Sequence, residues 1–100
     1  MKRVMVQYKV KADQADENRQ LIDAVFAALK QASPPNLRYA SFVQGDGVRF
    51  VHIASIETDD GSNPLEDIDA FGAFVAEIGD RCEVPPAVTP LEVVGSYELL

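Results

Sequence analysis

The sequence predicts an α+β sandwich, a four-stranded antiparallel sheet with two helices packed on one of its faces. Three observations carry that expectation. Residues 3–10 alternate between apolar and polar side chains as a half-buried strand does. Two β-rich runs, 37–44 and 47–56, meet across a short glycine-bearing turn. Two further stretches, one ending at Ala32 and one running from Asn63 to Gly79, repeat their apolar residues at helical spacing. The order is then strand, helix, strand, strand, helix, strand. It divides into two β-α-β halves with no residue-level repeat between them, and a split β-α-β pair of this length is the ferredoxin-like layout.

In the first strand Val4, Val6, Tyr8 and Val10 point one way and Arg3, Met5, Gln7 and Lys9 the other. Asp13 and Asp16 are the N-cap candidates for the first helix. Its apolar stripe is Leu21, Ile22, Val25, Phe26, Ala28, Leu29 and Ala32, and Ser33-Pro34-Pro35 ends it. The hairpin turn is either Gly45-Asp46 in type II′ or Asp46-Gly47 in type I′. Both registers give the same faces. Tyr39, Ser41 and Val43 share one with Val48, Phe50, His52, Ala54 and Ile56, while Arg38, Ala40 and Phe42 share the other with Arg49, Val51, Ile53 and Ser55.

After a polar loop over 57–63, Asn63-Pro64-Leu65-Glu66 reads as a helix start with Asn at the cap, Pro at the first helical position and Glu reaching back. Ile68, Phe71, Phe74, Val75 and Ile78 form its apolar face and Gly79 its stop. A Pro-rich crossing over 80–90 leads to a last strand at about 88–98, with Leu91, Val93 and Tyr97 on one face and Val94 on the other.

Composition bounds the function. One hundred residues, 47% apolar and 25% charged, suit a single domain over 1–100 with a core of its own. Sixteen acidic against nine basic residues give a net charge of −7 with no basic stripe to offset it, which argues against nucleic acid and anionic membrane surfaces as partners. One cysteine, Cys82, cannot form an internal disulfide or a zinc site alone, and no segment has the length and apolarity of a signal core or membrane span. The expected location is cytoplasmic. The sheet face away from the helices still carries Met5, Phe42, Val51, Ile53 and Val94 among Gln7, Arg38, Arg49 and Ser55, and a second copy of the chain is the expected cover.

The strand order, the length and the two-sided hairpin resemble the dimeric α/β-barrel superfamily over residues 3–98, and within it the antibiotic biosynthesis monooxygenase-like branch. That resemblance implies a homodimer with sheets face to face and a ligand cavity between sheet and helices or inside the barrel. Its members include cofactor-independent oxygenases of aromatic polyketides, haem-degrading enzymes, isomerases and dehydratases. This chain has no tryptophan, a residue that often lines such pockets. It carries His52 on a strand, whereas the haem-degrading branch bears its haem-ligating histidine on a helix.

Tyr39 and His52 form the leading candidate site, directly opposite in one hairpin register and diagonal in the other. Tyr8 joins them if its face also turns toward the helices. A neutral imidazole beside one or two phenols, in a pocket formed by Phe26, Phe50, Phe71 and Phe74, can take a proton from an activated phenol or carbon acid. For a cofactor-free oxygenation that is the step a protein can assist. The competing reading is an interior histidine with satisfied hydrogen bonds and tyrosines packed with hydroxyls at the rim. Arg38 and Arg49 would either anchor a carboxylate in the barrel or pair with Glu92 and Glu98 across the dimer interface, which is otherwise Met5, Phe42, Val51 and Ile53. The acidic block at Asp59, Asp60, Glu66, Asp67 and Asp69 lacks the calcium-loop spacing, and Cys82 has no evident base beside it. With one histidine and no Gly-rich phosphate loop, no metal or organic cofactor is expected. Three functions therefore compete: a small cofactor-independent enzyme acting on an aromatic or conjugated molecule, a non-catalytic ligand-binding or regulatory dimer, and a purely structural partner.

Overall fold

A computed structural model of the chain describes residues 1–99. Strand β1 (Lys2–Val10) is followed by helix α1 (Ala15–Ala32), the hairpin of β2 (Leu37–Val43) and β3 (Arg49–Ile56), helix α2 (Asp69–Ala76), a one-turn helix α3 (Ile78–Arg81) and strand β4 (Cys82–Pro90). The strands form one antiparallel sheet in the order β2-β3-β1-β4. This is the ferredoxin-like sandwich that the alternating patterns imply. Val25 of α1 and Phe74 of α2 pack on Tyr8, Val10 and Phe50, so both helices cover the same sheet face.

The hairpin adopts the register in which Tyr39 opposes Ala54 and Ser41 opposes His52, leaving Tyr39 and His52 diagonal. Its turn is neither of the two-residue types. The Gly47 amide donates to the Gln44 carbonyl, Gln44 pairs with Arg49, and Gly47 takes a positive φ of 76°. The Asp46 carboxylate accepts from the amides of Val48 and Arg49, which closes the longer loop and holds that carboxyl below its usual range.

Four expectations are corrected. Neither Asp13 nor Asp16 caps α1; a 3-10 turn over Ala12–Gln14 precedes it, and no side chain bonds to its first amides. The Lys11 amide is instead tied to the Arg81 carbonyl at 2.8 Å, anchoring the helix entry to the end of α3. The second helix is broken. Asn63 does cap, accepting from the Leu65 amide at 3.0 Å, but it closes only a 3-10 turn over Pro64–Asp67. Ile68 is then extended, which buries it beside the turn's Leu65 and lets its carbonyl receive the first amides of α2. Gly79 does not stop a helix; it lies inside α3.

The last strand is β4 at 82–90, not 88–98. Prolines 85 and 86 sit on an edge strand where the β1 ladder shifts register twice between Gln7 and Val10, the setting in which a residue without an N–H is tolerated. Leu91, Val93, Val94 and Tyr97 consequently lie in a terminal segment outside the sheet, with Val94 and Tyr97 almost fully exposed.

Candidate functional site

Because side chains alternate along a strand, three neighbouring strands deliver Tyr8, His52, Tyr39 and Ser41 to the helix-facing side of the sheet. There the rings of Phe50, Tyr8, His52, Tyr39 and Phe26 lie in one file. Successive centroids are 5.6, 5.4, 6.0 and 5.3 Å apart and successive planes lie within 17° of parallel. Phe74 tilts onto His52 from α2 at 5.4 Å.

His52 is the chain's single histidine and is 3% exposed. Its Nε2 lies 2.7 Å from the Tyr8 hydroxyl. Its Nδ1 lies 2.6 Å from Ser41 Oγ and 3.1 Å from the Tyr39 hydroxyl. Burial without a carboxylate partner lowers the imidazole pKa to about 4, so the ring is neutral at neutral pH. Burial likewise pushes both phenols up, Tyr8 farther than Tyr39, while hydrogen bonds from Asn18 and Ser41 respectively act against that rise.

These groups border a cavity of about 250 Å³ between sheet and α2, at the small end of ligand sites and roomy enough for one compact ring system. Tyr8, Tyr39 and His52 supply its polar groups on the sheet side. Phe71, Phe74, Val75, Ile78 and Leu65 form the opposing wall, and Val4, Val6, Ala54, Pro86 and Val88 complete the apolar lining. Two of the four expected lining residues are placed elsewhere. Phe50 is core behind Tyr8, and Phe26 stands behind Tyr39 at a separate shallow groove.

Asn18, Ser41 and Arg81 complete the cluster and were not singled out from the sequence. Asn18 Nδ2 donates to the Tyr8 hydroxyl at 2.9 Å, and Arg81 Nε donates to Asn18 Oδ1 at 3.2 Å. Arg81 is buried. It gives a second bond to the Phe74 carbonyl and lies 5.5 Å over the Phe74 ring, with no carboxylate in ion-pairing reach among the described residues. The signal for both was positional. Asn18 falls three, four and seven residues before Leu21, Ile22 and Val25, and Arg81 seven after Phe74 and three after Ile78, so each extends an apolar stripe with a polar residue that burial obliges to find a partner.

On the opposite sheet face Arg38 and Arg49 take partners other than Glu92 and Glu98 within the chain. Arg49 pairs with Asp46, and Arg38 shares the Glu57 carboxylate with Arg3. Phe42 is 48% exposed there, with Met5, Val51 and Ile53 half-buried beside it. A shallower cavity of about 550 Å³ lies on this face, between it and the terminal segment. It holds none of the Tyr8, His52 and Ser41 chemistry. Burial raises the pKa of the Cys82 thiol, so it is not an activated nucleophile. No group of metal-ligating side chains occurs among the described residues, and none of their helices is long and apolar enough to cross a membrane.

No family model and no curated protein matches the sequence. Solved structures do. A protein from Nitrosomonas europaea named as a candidate antibiotic biosynthesis monooxygenase superposes with a TM-score of 0.75 at 14% identity, covering 95% of this chain and all of that one. The chain has the antibiotic biosynthesis monooxygenase-like fold. Rv0793 of Mycobacterium tuberculosis matches that fold over 95% of this chain and 96% of its own, with a TM-score of 0.74 at 19% identity. SnoaB of Streptomyces nogalater, a cofactor-independent oxygenase, matches over 97% and 96%, with a TM-score of 0.69 at 12% identity. Identities this low show the shared fold and leave activity to be argued from the site.

Proposed function

We propose that this chain is a small cofactor-independent oxygenase of the antibiotic biosynthesis monooxygenase-like type, acting on a compact aromatic or conjugated molecule in the His52 cavity. The observation that carries the reading is a neutral, fully hydrogen-bonded imidazole flanked by two phenols at the wall of a cavity whose remaining lining is apolar except for Asn63. An apolar, water-poor pocket favours a flat conjugated substrate. Its acidic C–H or phenolic O–H loses a proton to His52 through the hydroxyl of Tyr8 or Tyr39. The resulting anion is electron-rich enough to reduce dioxygen directly. For a methylene substrate the balance is CH2 plus O2 giving C=O plus water, with dioxygen as the oxidant.

The working unit in this reading is a homodimer of the cytoplasm, its sheets face to face through Met5, Arg38, Phe42, Arg49, Val51 and Ile53. The half-buried apolar residues on that face and the lone reduced Cys82 support it.

The low basicity of His52 favours a second reading, a non-catalytic small-molecule-binding dimer, because a base of pKa about 4 has little driving force at neutral pH. Oxygen uptake with anthrone as the probe separates the two. Catalysis predicts conversion to anthraquinone, falling about 100-fold or more in His52→Gln and in Tyr39→Phe while the fold is retained. A binding module would give a thermal shift with anthrone, about 2.7 kcal/mol of stabilisation at ~100 times Kd, and no turnover. Neither shift nor turnover with compact aromatics would remove both readings.

A further inference from the structure

We propose that Asn18, oriented by Arg81, is a positioning residue that fixes His52 as the Nδ1–H tautomer and makes Tyr8 the hydroxyl through which its Nε2 lone pair is reached. The inference rests on the reading of His52 as the centre of the site, and it decides a point that reading leaves open, namely which of the two phenols stands on the basic side of the ring.

The hydrogen-bond directions follow from donor and acceptor inventory alone. Arg81 Nε can only donate, so the Asn18 atom 3.2 Å from it is the amide oxygen. The atom of Asn18 2.9 Å from Tyr8 is therefore the amide nitrogen, which can only donate to the phenol oxygen. The Tyr8 oxygen is thereby made an acceptor toward α1, and its own hydrogen remains to be placed. Tyr8 is buried, and the other group in hydrogen-bond contact with its hydroxyl among the described residues is His52 Nε2 at 2.7 Å. If Nε2 carried a hydrogen, the phenol would accept twice and leave a buried O–H with no acceptor, the arrangement folded proteins avoid. Nε2 must then be the bare nitrogen and Nδ1 the protonated one. The ring N–H points at Ser41 Oγ and the Tyr39 hydroxyl, both of which have lone pairs to receive it. The chain of polarity runs Arg81 to Asn18 to Tyr8 to His52 to Ser41 and Tyr39, each donating to the next.

The consequence for the site is directional. A proton entering from the cavity is accepted by the Tyr8 oxygen as Tyr8 gives its own hydrogen to Nε2. Ser41 and Tyr39 then stabilise the imidazolium through Nδ1–H. The relay needs no carboxylate, which is the usual orienter of such a ring.

Because His52 is the single histidine, histidine-selective 15N labelling gives one imidazole spectrum. In the wild-type protein at neutral pH we expect Nε2 in the unprotonated, pyridine-like range and Nδ1 in the protonated, pyrrole-like range with a resolved one-bond N–H splitting. This is the less populated tautomer of a free histidine side chain. Asn18→Asp then supplies the sharp test. A carboxylate satisfies Arg81 but can only accept from Tyr8, so the phenol hydrogen turns toward α1, Nε2 becomes the donor, and the two nitrogens exchange ranges. If that variant fails to fold, Tyr8→Phe removes the hydrogen bond to the bare Nε2 while Nδ1–H keeps Ser41 and Tyr39, and the Nε2 resonance should move farther into the pyridine-like range. A wild-type Nε2–H spectrum, an unchanged tautomer in Asn18→Asp, or an Nε2 resonance that does not move in Tyr8→Phe overturns the inference. The readout is independent of turnover. The expected tautomer without oxygen uptake would sink the oxygenase reading alone, and uptake with the opposite tautomer would sink the relay alone.

Discussion

His52 couples the site to stability through its proton. Its folded pKa of about 4 lies below the ordinary value of 6.5, so between those values the unfolded chain binds the proton that the folded one refuses. The histidine therefore contributes its full stability above about pH 6.5. That contribution falls as pH drops toward 4 and levels off below it, with a total change of roughly 3 kcal/mol. Urea midpoints taken between about pH 7 and about pH 5 should fall in the wild type and fall less in His52→Gln, the difference isolating the imidazole from the carboxylates. An equal fall in both proteins would mean that the ring is not buried neutral. Breaking the relay at its far end acts differently. Arg81→Met removes the donor that holds Asn18 and leaves the Phe74 carbonyl and the Asn18 amide oxygen without a partner in the interior. Chemical denaturation should register a loss of about 2–4 kcal/mol, more than a surface arginine would give.

At the level of elements, the segments that could be read from the sequence are those whose register is set by their own side chains. The two hairpin strands keep the same faces whichever turn joins them, so Tyr39, Ser41 and His52 shared a face before the loop was known, and the alternation of Val4, Val6, Tyr8 and Val10 placed Tyr8 with them. What could not be read depended on contacts distant in sequence. Asn18 and Arg81 meet across 63 positions, and only their burial makes them partners. The break at Ile68 serves the packing of Leu65 and Ile68, which helical spacing alone does not reveal. The two β4 prolines read as a crossing because ladder shifts that tolerate them leave no local signature. The short capped turn before α2 has a measurable weight. Asn63→Ala removes the acceptor of the Leu65 amide and should cost about 1 kcal/mol in equilibrium unfolding. No change would mean that the turn is held by Leu65 packing alone.

For the molecule as a whole, the proposed homodimer turns on the outer sheet face. Phe42 is exposed beside the half-buried Met5, Val51 and Ile53, and a net charge of −7 works against any association that this apolar patch does not drive. Native mass spectrometry should find a dimer, and Phe42→Glu, which adds one buried carboxylate per copy, should return the protein to monomer without altering the His52 15N spectrum. A wild-type monomer would leave that face without the second copy proposed for it.

The file of rings across the sheet also governs how the protein emits light. There is no tryptophan, and two of the three tyrosines, Tyr8 and Tyr39, lie in hydrogen-bond contact with a neutral imidazole. An electronically excited phenol is a far stronger acid than its ground state, and Tyr8, which donates to the bare Nε2, gives its proton to that nitrogen before it can fluoresce, whereas Tyr39 faces the protonated Nδ1 and keeps its own. The third, Tyr97, stands in water on the terminal segment, 84% exposed. Ultraviolet emission from the folded chain should therefore report on Tyr39 and Tyr97, and unfolding should brighten it as the silent Tyr8 leaves His52.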